Sequence, residues 1–358
     1  SIQEYEMMFS MGRDYSGVYG LNINQTLFDG RVFAAIIASD IYRKMTNESY
    51  NVDIEKVIEK IKISYYSVLL SRKVTEVFQK SVERASNNFK NTELLFQSGK
   101  VNELELIRTE TMVKDQETLL TNAKNNELLA LENLILTVGI TEKGTIEIVG
   151  KFDDVNTSIP NFEDLKEILM ENQPLIKQLD ANSKLMKVNI SSYLSEFLPS
   201  IRLSGSFHKM QSNNKKEFTS ENFQDNSSIS VNIGLPIFDG LGTSARVMRA
   251  KADAKKAEYQ ADDVKNNLLL ELKSIHLTII ESVEKINAGN KKLELANKGY
   301  EIAKDLYKNG MTTQLELLGA EIGLNQAELN LLQANFEYQV AMANLSRAIG
   351  ENTKGENK

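Results

Sequence analysis

The residues that could do chemistry are few in this chain, and they form no recognised catalytic motif. There are two histidines, His208 and His276, and no cysteine, which excludes disulfides, thiolate metal sites and a cysteine nucleophile. His208 falls on the polar side of a predicted strand and His276 inside a predicted helix, so a solvated or interhelical role is the simpler interpretation for both. The segment 240–243 (GLGT) lacks the lysine and the spacing of a phosphate-binding loop. We therefore predict that the chain is not an enzyme and has no catalytic residue, metal site or cofactor.

Charge and hydropathy exclude two further classes. The 358 residues carry a net charge of −7, and no basic patch with interleaved aromatic residues is present, so we predict no nucleic-acid partner. No apolar run reaches the roughly 18 residues that a membrane-spanning helix needs. Prolines are confined to positions 160, 174, 199 and 236, which leaves long stretches where helices can run without a break.

The chain repeats itself at a nearly constant offset. Segment 22–30 (NINQTLFDG) returns as 232–240 (NIGLPIFDG), 96–99 (FQSG) as 307–310 (YKNG), and 137–139 (TVG) as 348–350 (AIG). Solenoid repeats have periods of about 20–50 residues, so this much longer period indicates a duplicated half-molecule. We predict a first repeat at 1–140, a connecting segment at 141–160, a second repeat at 161–350 and a C-terminal tail at 351–358.

Alternating apolar and polar residues predict four amphipathic strands in two pairs, within 1–28 and 200–238. The strand at 16–28 is clear and a strand near 5–9 is weaker, with a turn at 11–14 between them. The second pair lies at about 201–208 and 228–237, joined by a long polar loop at 211–227. The apolar members that we expect to face lipid are Leu21, Ile23, Leu203, Phe207, Ile229, Val231, Ile233 and Leu235.

Each strand pair is followed by helical sequence of unusual length. We predict helices at 31–97 and 241–308, about 100 Å each at 1.5 Å per residue. Apolar residues keep coiled-coil spacing at 54, 58, 61, 65 and 68, and again at 268, 272, 275 and 279. Gly99 and Gly310 are typical helix stops, so each long helix should turn there into a second one, 102–136 or 313–348, giving hairpins at 31–138 and 241–349. A further helix is predicted at 161–197.

These patterns together indicate a shared membrane barrel. Strands with one apolar and one polar face are typical of outer-membrane barrels, in which every strand edge must be paired. Four strands are too few to close a barrel, so several copies of the chain would have to share one. The alternative is a soluble coiled-coil structural or filament protein, which accounts for the heptads but not for the amphipathic strands.

The chain resembles the TolC-type outer-membrane efflux proteins. The resemblance rests on Phe-Asp-Gly at 28–30 and 238–240, Leu-Pro at 198–199 before the third strand, and the segment 299–318 (GYEIAKDLYKNGMTTQLELL). It covers almost the whole chain. It implies a mixed, mainly α fold with internal duplication: a homotrimer whose long coiled-coil helices form an α-barrel tunnel across the periplasm, with four strands per chain in a shared twelve-stranded outer-membrane β-barrel.

The resemblance also implies partners and site residues. The family's members are passive exit ducts in the outer-membrane lipid, docked through a periplasmic adaptor protein to an inner-membrane transporter, for efflux or for type I secretion. The residues that match its adaptor-contacting hairpin tips are Ser98, Gly99, Lys100, Val101, Asn309, Gly310, Met311 and Thr312. Glu316, its counterpart Glu105, and Tyr307 match the periplasmic constriction. An ordinary solvated helix face remains the alternative for both glutamates.

Three departures from the family pattern are expected to matter. Gly319 stands where a second acidic residue of the constriction can occur, and Thr312 where a latching arginine can occur. The first repeat also has no counterpart of the helix at 161–197, so we expect a tunnel helix to be missing before the first strand.

Overall fold

Long α-helices and one small antiparallel sheet make up the fold. The computed structural model describes residues 13–140, 148–152, 154–155 and 159–355. In chain order the main elements are β1 (Tyr15–Phe28), α1 (Gly30–Gln97), α2 (Glu103–Val138), α3 (Phe162–Asn172), α4 (Pro174–Leu194), β2 (Ser200–Asn213), β3 (Gln224–Gly234), α5 (Gly242–Lys308) and α6 (Gln314–Ala348). The predicted mainly helical fold with a small strand component is confirmed. No helix in these ranges is both long enough and apolar enough to cross a membrane.

The Phe-Asp-Gly repeats mark the starts of the two longest helices, of 68 and 67 residues. Asp29 Oδ1 accepts a hydrogen bond from the backbone N–H of Arg31 at 2.9 Å. Asp239 Oδ2 accepts from both the N–H and the hydroxyl of Thr243 at 2.6 Å. A side-chain oxygen that accepts from free N–H groups of the first turn is the usual helix N-cap. The repeated aspartate is therefore explained by helix initiation.

The helix predicted at 161–197 is wrong in one respect, because it is divided in two. Gln173 is extended, with φ −60° and ψ 116°, as expected for a residue before proline, and Pro174 starts α4. The break also places a hydrogen-bond donor at the end of α6. Gln173 Nε2 donates to the carbonyl oxygens of Arg347 and Ala348 at 3.0 and 2.7 Å, which satisfies acceptors left free at the end of α6.

Two strand boundaries also differ from prediction. The polar loop expected at 211–227 is only 214–223, because β2 runs to Asn213 and β3 begins at Gln224. At the other end β3 stops at Gly234, so Leu235 lies one residue beyond the sheet. Pro236, two residues after Gly234, has no N–H to give to a strand ladder. The weaker strand near 5–9 lies outside the described residues, as does most of the turn expected at 11–14.

The three described strands pair antiparallel in the order β1-β2-β3. Directly opposed residues lie on one face of a sheet. One face carries Leu21, Ile23, Phe28, Ile201, Leu203, Phe207, Ile229, Val231 and Ile233, and the other carries Asn22, Asn24, Thr26, Arg202, Ser204, Ser206, His208, Ser228, Ser230 and Asn232. All predicted lipid-facing residues except Leu235 therefore share the apolar face.

The chain divides into two compact units, Ser1–Thr46 with Leu179–Ala261, and Asn47–Gln178 with Asp262–Lys358. The first unit contains the sheet, and the second contains both hairpin turns. Each unit draws on both sequence repeats, and the division of the chain by repeats stays a prediction.

The core of the second unit is built from α3, the start of α4, α5 and α6. Its members include Leu165, Leu169, Ile176, Leu268, Leu272, Ile275, Ile279, Tyr338, Ala341 and Leu345. The seam predicted in α5 is thus fully buried. In α1 the corresponding seam is only half-buried except at Val68.

A buried carboxylate fixes residues 352–353 against α1. Glu55 is 2% exposed and accepts from Asn352 Nδ2 at 2.6 Å and from the N–H of Thr353 at 3.0 Å. Close by in sequence, Arg347 at the end of α6 pairs with Glu59 of α1 at 2.6 Å. Residues 352–353, predicted as part of a tail, are therefore hydrogen-bonded to the helical body.

Candidate functional site: the paired hairpin tips

The two hairpin turns have the same backbone construction. At the end of α1, Lys100 N–H donates to Leu95 O and Gly99 N–H to Phe96 O, both at 2.9 Å. This pair of bonds is a Schellman motif, which needs a left-handed residue, and Gly99 has φ 71°. Gly310 repeats the geometry at the end of α5 with φ 68°. The turn glycines are therefore required by the backbone.

The predicted gate glutamates both lie in the first turn of a helix, three residues after its N-cap. Asn102, the N-cap of α2, accepts from the N–H of Glu105 at 3.0 Å, and Thr313, the N-cap of α6, accepts from the N–H of Glu316 at 3.4 Å. Glu316 also accepts a hydrogen bond from the hydroxyl of Thr312. Acidic residues in the first turn are stabilised by the positive end of the helix dipole. The helix dipole alone thus gives both positions a reason to be acidic.

The two turns lie side by side around an open cleft of about 720 Å³. Its lining takes in residues 99–102, Glu105, residues 307–310 and residues 312–314. Most of the predicted tip residues are therefore brought together, with Glu105 and Tyr307. Ser98, Met311 and Glu316 do not line the cleft; Met311 is 66% exposed on the turn, and Glu316 is exposed beside it.

Tyr307 joins the two hairpins. Its hydroxyl lies 3.5 Å from Thr92 Oγ1 of α1, and Thr92 is fully buried. The Thr92 hydroxyl donates its proton to Asn88 O at 3.0 Å, so the tyrosine is the donor between the two. This long, weak bond is a contact that can separate at small cost.

A buried ion pair lies behind the cleft and was not predicted. Arg84 Nε of α1 donates to Glu321 Oε1 of α6 at 3.2 Å, and the side chain of Glu321 is 3% exposed. Burial raises the pKa of the Glu321 carboxyl, while the Arg84 guanidinium acts in the opposite direction. The sequence did hold a signal, because Glu321 falls between Leu317 and Leu324 at the spacing of a buried helix face.

One buried acceptor in the cleft has no hydrogen-bond partner among the described residues. Gln314 is 7% exposed, lines the cleft, and its Oε1 accepts no hydrogen bond. Leaving a buried polar atom unpaired costs about 1–3 kcal/mol. A donor from outside the chain would relieve this cost.

The histidines take ordinary structural positions. His208 lies on the polar face of the sheet, opposite Asn226, and His276 Nε2 lies 3.1 Å from the carbonyl oxygen of Pro160. Within the described ranges, no group of three or more His, Asp or Glu side chains could hold a metal ion.

Comparison with known proteins decides the family. The model of the outer membrane efflux protein family matches residues 5–139 and 165–351. The chain belongs to this family. It is similar to the alkaline protease secretion protein AprF of Pseudomonas aeruginosa, with 21% identity over 94% of this chain and 70% of that protein. Against the outer membrane protein TolC of Vibrio cholerae, identity is 20% over 92% of this chain and 76% of that protein.

Solved structures agree on the fold. The Campylobacter jejuni CmeC outer membrane channel superposes with a TM-score of 0.76 at 18% identity, covering 94% of this chain and 71% of that one. The resemblance to the TolC family is therefore confirmed, and so is the location: this is an exit channel of the bacterial outer membrane that extends into the periplasm. Members of the outer membrane efflux protein family are channels.

Proposed function

We propose that three copies of this chain form the exit duct of a tripartite efflux or type I secretion system. Each copy contributes strands to one twelve-stranded outer-membrane β-barrel, and the long helices form an α-barrel tunnel across the periplasm. Substrate moves passively, and the energy comes from an inner-membrane transporter joined through a periplasmic adaptor. The similarity to AprF, a protease secretion protein, supports the secretion branch, and membership of the outer membrane efflux protein family supports the efflux branch.

The observation that carries the proposal is the two-faced sheet. On its apolar face Leu21 is 62% exposed and Ile229 84% exposed, while Ser206 and Ser228 hydrogen-bond to each other at 2.8 Å on the polar face. Among the described strands, β1 and β3 each have one neighbour. A bilayer demands a closed ring with an apolar outside, and further copies of the chain supply such a ring.

Two matched variants test the barrel. Ile229→Lys places a charge on the lipid side, at a cost of about 2–4 kcal/mol near the bilayer centre, and should prevent trimer assembly in outer membranes. Ser228→Lys, one residue away on the polar face, should leave assembly intact and lower the cation conductance in planar bilayers. The assays are outer-membrane fractionation and gel mobility of unheated, detergent-solubilised protein.

The soluble coiled-coil alternative predicts a different result in these assays. A filament protein would stay in the supernatant after ultracentrifugation, and its state would not depend on detergent. A stable monomer in plain buffer, with both lysine variants behaving alike, would favour this soluble coiled-coil alternative.

For the adaptor, we propose that the tip residues at 98–101 and 309–312 form the contact surface. The support is the exposure of most of them, all but Val101 and Thr312, on two adjacent turns, the cleft between these turns, and the unpaired Oε1 of Gln314, which a donor on the adaptor would satisfy. The cysteine-free chain allows a clean test. Met311→Cys should cross-link to a purified adaptor from a tripartite pump, whereas Lys298→Cys, on α5 before the turn, should not.

For the gate, we propose that Glu105, Glu316 and Tyr307 set the closed constriction. Symmetry-related copies of Glu316 within the ~8–10 Å Debye length repel one another, so closure depends on other contacts. The weak bond from Tyr307 to Thr92 is one such contact, and adaptor docking would need to break only bonds of this kind. Acidic residues at the constriction would also favour cations.

A further inference from the structure

The loop at 214–223 lies at the end of the sheet that is remote from the helices. α1 follows the Phe28 end of β1, and α5 follows the Gly234 end of β3, whereas Tyr15, Asn213 and Gln224 form the opposite end. In an outer-membrane channel whose helices are periplasmic, this loop is at the outer leaflet. It could cover the pore mouth or fold outward.

The position of the Phe218 ring shows to which side of the sheet the loop folds. It occupies the space where a side chain of residue 17 would stand: a Cβ placed on Gly17 would be 3.0 Å from Phe218 Cε1 and 3.2 Å from Cδ1. Gly17 alternates with Tyr19 and Leu21 along β1, so its side-chain direction is that of the apolar face. The loop therefore folds outward, over the face that we assign to lipid.

Two further contacts hold it there. Gln211, paired with Gly17 in the sheet register, is 6% exposed, and its Oε1 accepts from the N–H of Thr219 at 3.1 Å. Phe223 makes an edge-to-face contact with Tyr19 at 5.0 Å between ring centroids. A buried carboxamide committed to a loop N–H fixes the loop in this position.

The position matches a membrane interface. The apolar rows of the sheet end where Tyr19 lies opposite Lys209, whose Nζ pairs with Asp225 at 3.2 Å. Beyond this row lies the loop, which holds the rings of Phe218, still 43% exposed, and Phe223, together with the exposed Lys215, Lys216, Glu217 and Glu221. Aromatic residues favour the headgroup level of a bilayer, and the two adjacent lysines are complementary to lipid phosphate.

We propose that residues 214–223 are an interfacial anchor that binds the phosphate-bearing surface of the outer leaflet. Phe218 and Phe223 insert beside the acyl chains, and Lys215 and Lys216 contact phosphate groups. The same outward fold keeps this loop away from the pore mouth. This inference rests on the proposed barrel, whose outer face must be in lipid.

The absence of tryptophan from the sequence gives a direct test. Single tryptophans are introduced as Phe218→Trp in the anchor, Ile229→Trp on the apolar face and Asn226→Trp on the polar face, and each protein is reconstituted into vesicles containing brominated phospholipids. Phe218→Trp should lose emission most strongly with bromine near the headgroup, and Ile229→Trp with bromine deep in the chain. Asn226→Trp should be quenched by aqueous iodide only.

The outcomes separate the two proposals. If Ile229→Trp is quenched by brominated lipid while Phe218→Trp is quenched only by iodide, the barrel stands and the anchor is overturned. If Ile229→Trp is not quenched by any brominated lipid, the barrel itself fails.

A separate experiment tests the contact between the lysines and lipid phosphate. In the Phe218→Trp protein, replacing zwitterionic lipid by phosphatidylglycerol should shift the emission to the blue. Adding Lys215→Gln and Lys216→Gln should abolish that shift but leave the quenching by brominated lipid. An equal shift with and without the lysines would overturn the phosphate contact.

Discussion

Removing the charge of Arg84 should loosen the contact between α1 and α6 behind the hairpin tips. Arg84→Met leaves the carboxylate of Glu321, 3% exposed, without its cation. Breaking a buried ion pair by removal of one partner costs about 3–5 kcal/mol. Removing both charges with Arg84→Met and Glu321→Leu should recover most of this loss, because a well-packed apolar pair is often as stable as a buried ion pair.

Hydrogen exchange of the native protein measures the effect. Peptides covering 77–92 and 314–325 should exchange about 100-fold faster in Arg84→Met, which corresponds to roughly 3 kcal/mol of local opening free energy. Lys73→Met is the matched control on the same helix. Its pair with Glu76 is 44% and 48% exposed, and such surface pairs contribute little, so exchange should be unchanged.

The pH dependence supplies a second readout. Burial raises the pKa of Glu321 in the folded protein, so the folded state binds the proton more tightly than the unfolded state. The contribution of this group to local stability is therefore complete below its unfolded pKa and declines as pH rises through the folded pKa. After correction for intrinsic exchange rates, opening should increase with pH in the native protein, and Glu321→Gln should remove that trend.

Two results would refute this reasoning. One is exchange in the double variant that is as fast as in Arg84→Met, which would mean that lost packing and not an unpaired charge causes the effect. The other is an unchanged pH trend in Glu321→Gln.

Three further predictions concern the turns and caps. Glu316→Gln keeps the backbone N–H that Thr313 caps and an acceptor for the Thr312 hydroxyl, but removes the charge; divalent-cation block in planar bilayers should weaken, and an unchanged block would exclude this residue from the gate. Gly310→Ala should destabilise its hairpin by about 1 kcal/mol, because alanine would have to adopt the left-handed φ of 68°. Gly319→Ala should stabilise α6 by a similar amount, because alanine has a higher helix propensity than glycine. Hydrogen exchange measures both effects. Asp239→Ala should lower the thermal midpoint while Asp239→Asn preserves the cap; equal losses in circular dichroism melts would contradict a capping role.

Much of the fold was predictable because its signals are local. Alternation along a strand decides which residues share a face, so the apolar face was predicted correctly except at Leu235, which the early end of β3 leaves outside the sheet. Helix ends are decided within a few residues by Asp caps and left-handed glycines, so the bounds of the four long helices were close. The break before Pro174 was also a local signal, and the prediction of one continuous helix there overlooked it.

What the sequence determined by itself is thus the face of each strand, the extent of each helix and the position of each turn, since these follow from neighbouring residues. Only the tertiary structure decided that β1 pairs with β2 of the other repeat, that the two turns enclose one cleft, and that Glu321 is buried against Arg84. These partners are more than 170 positions apart. Their pairing depends on how whole elements pack. The sequence around a glutamate on a helix does not show whether its carboxylate lies beside water or beside an arginine.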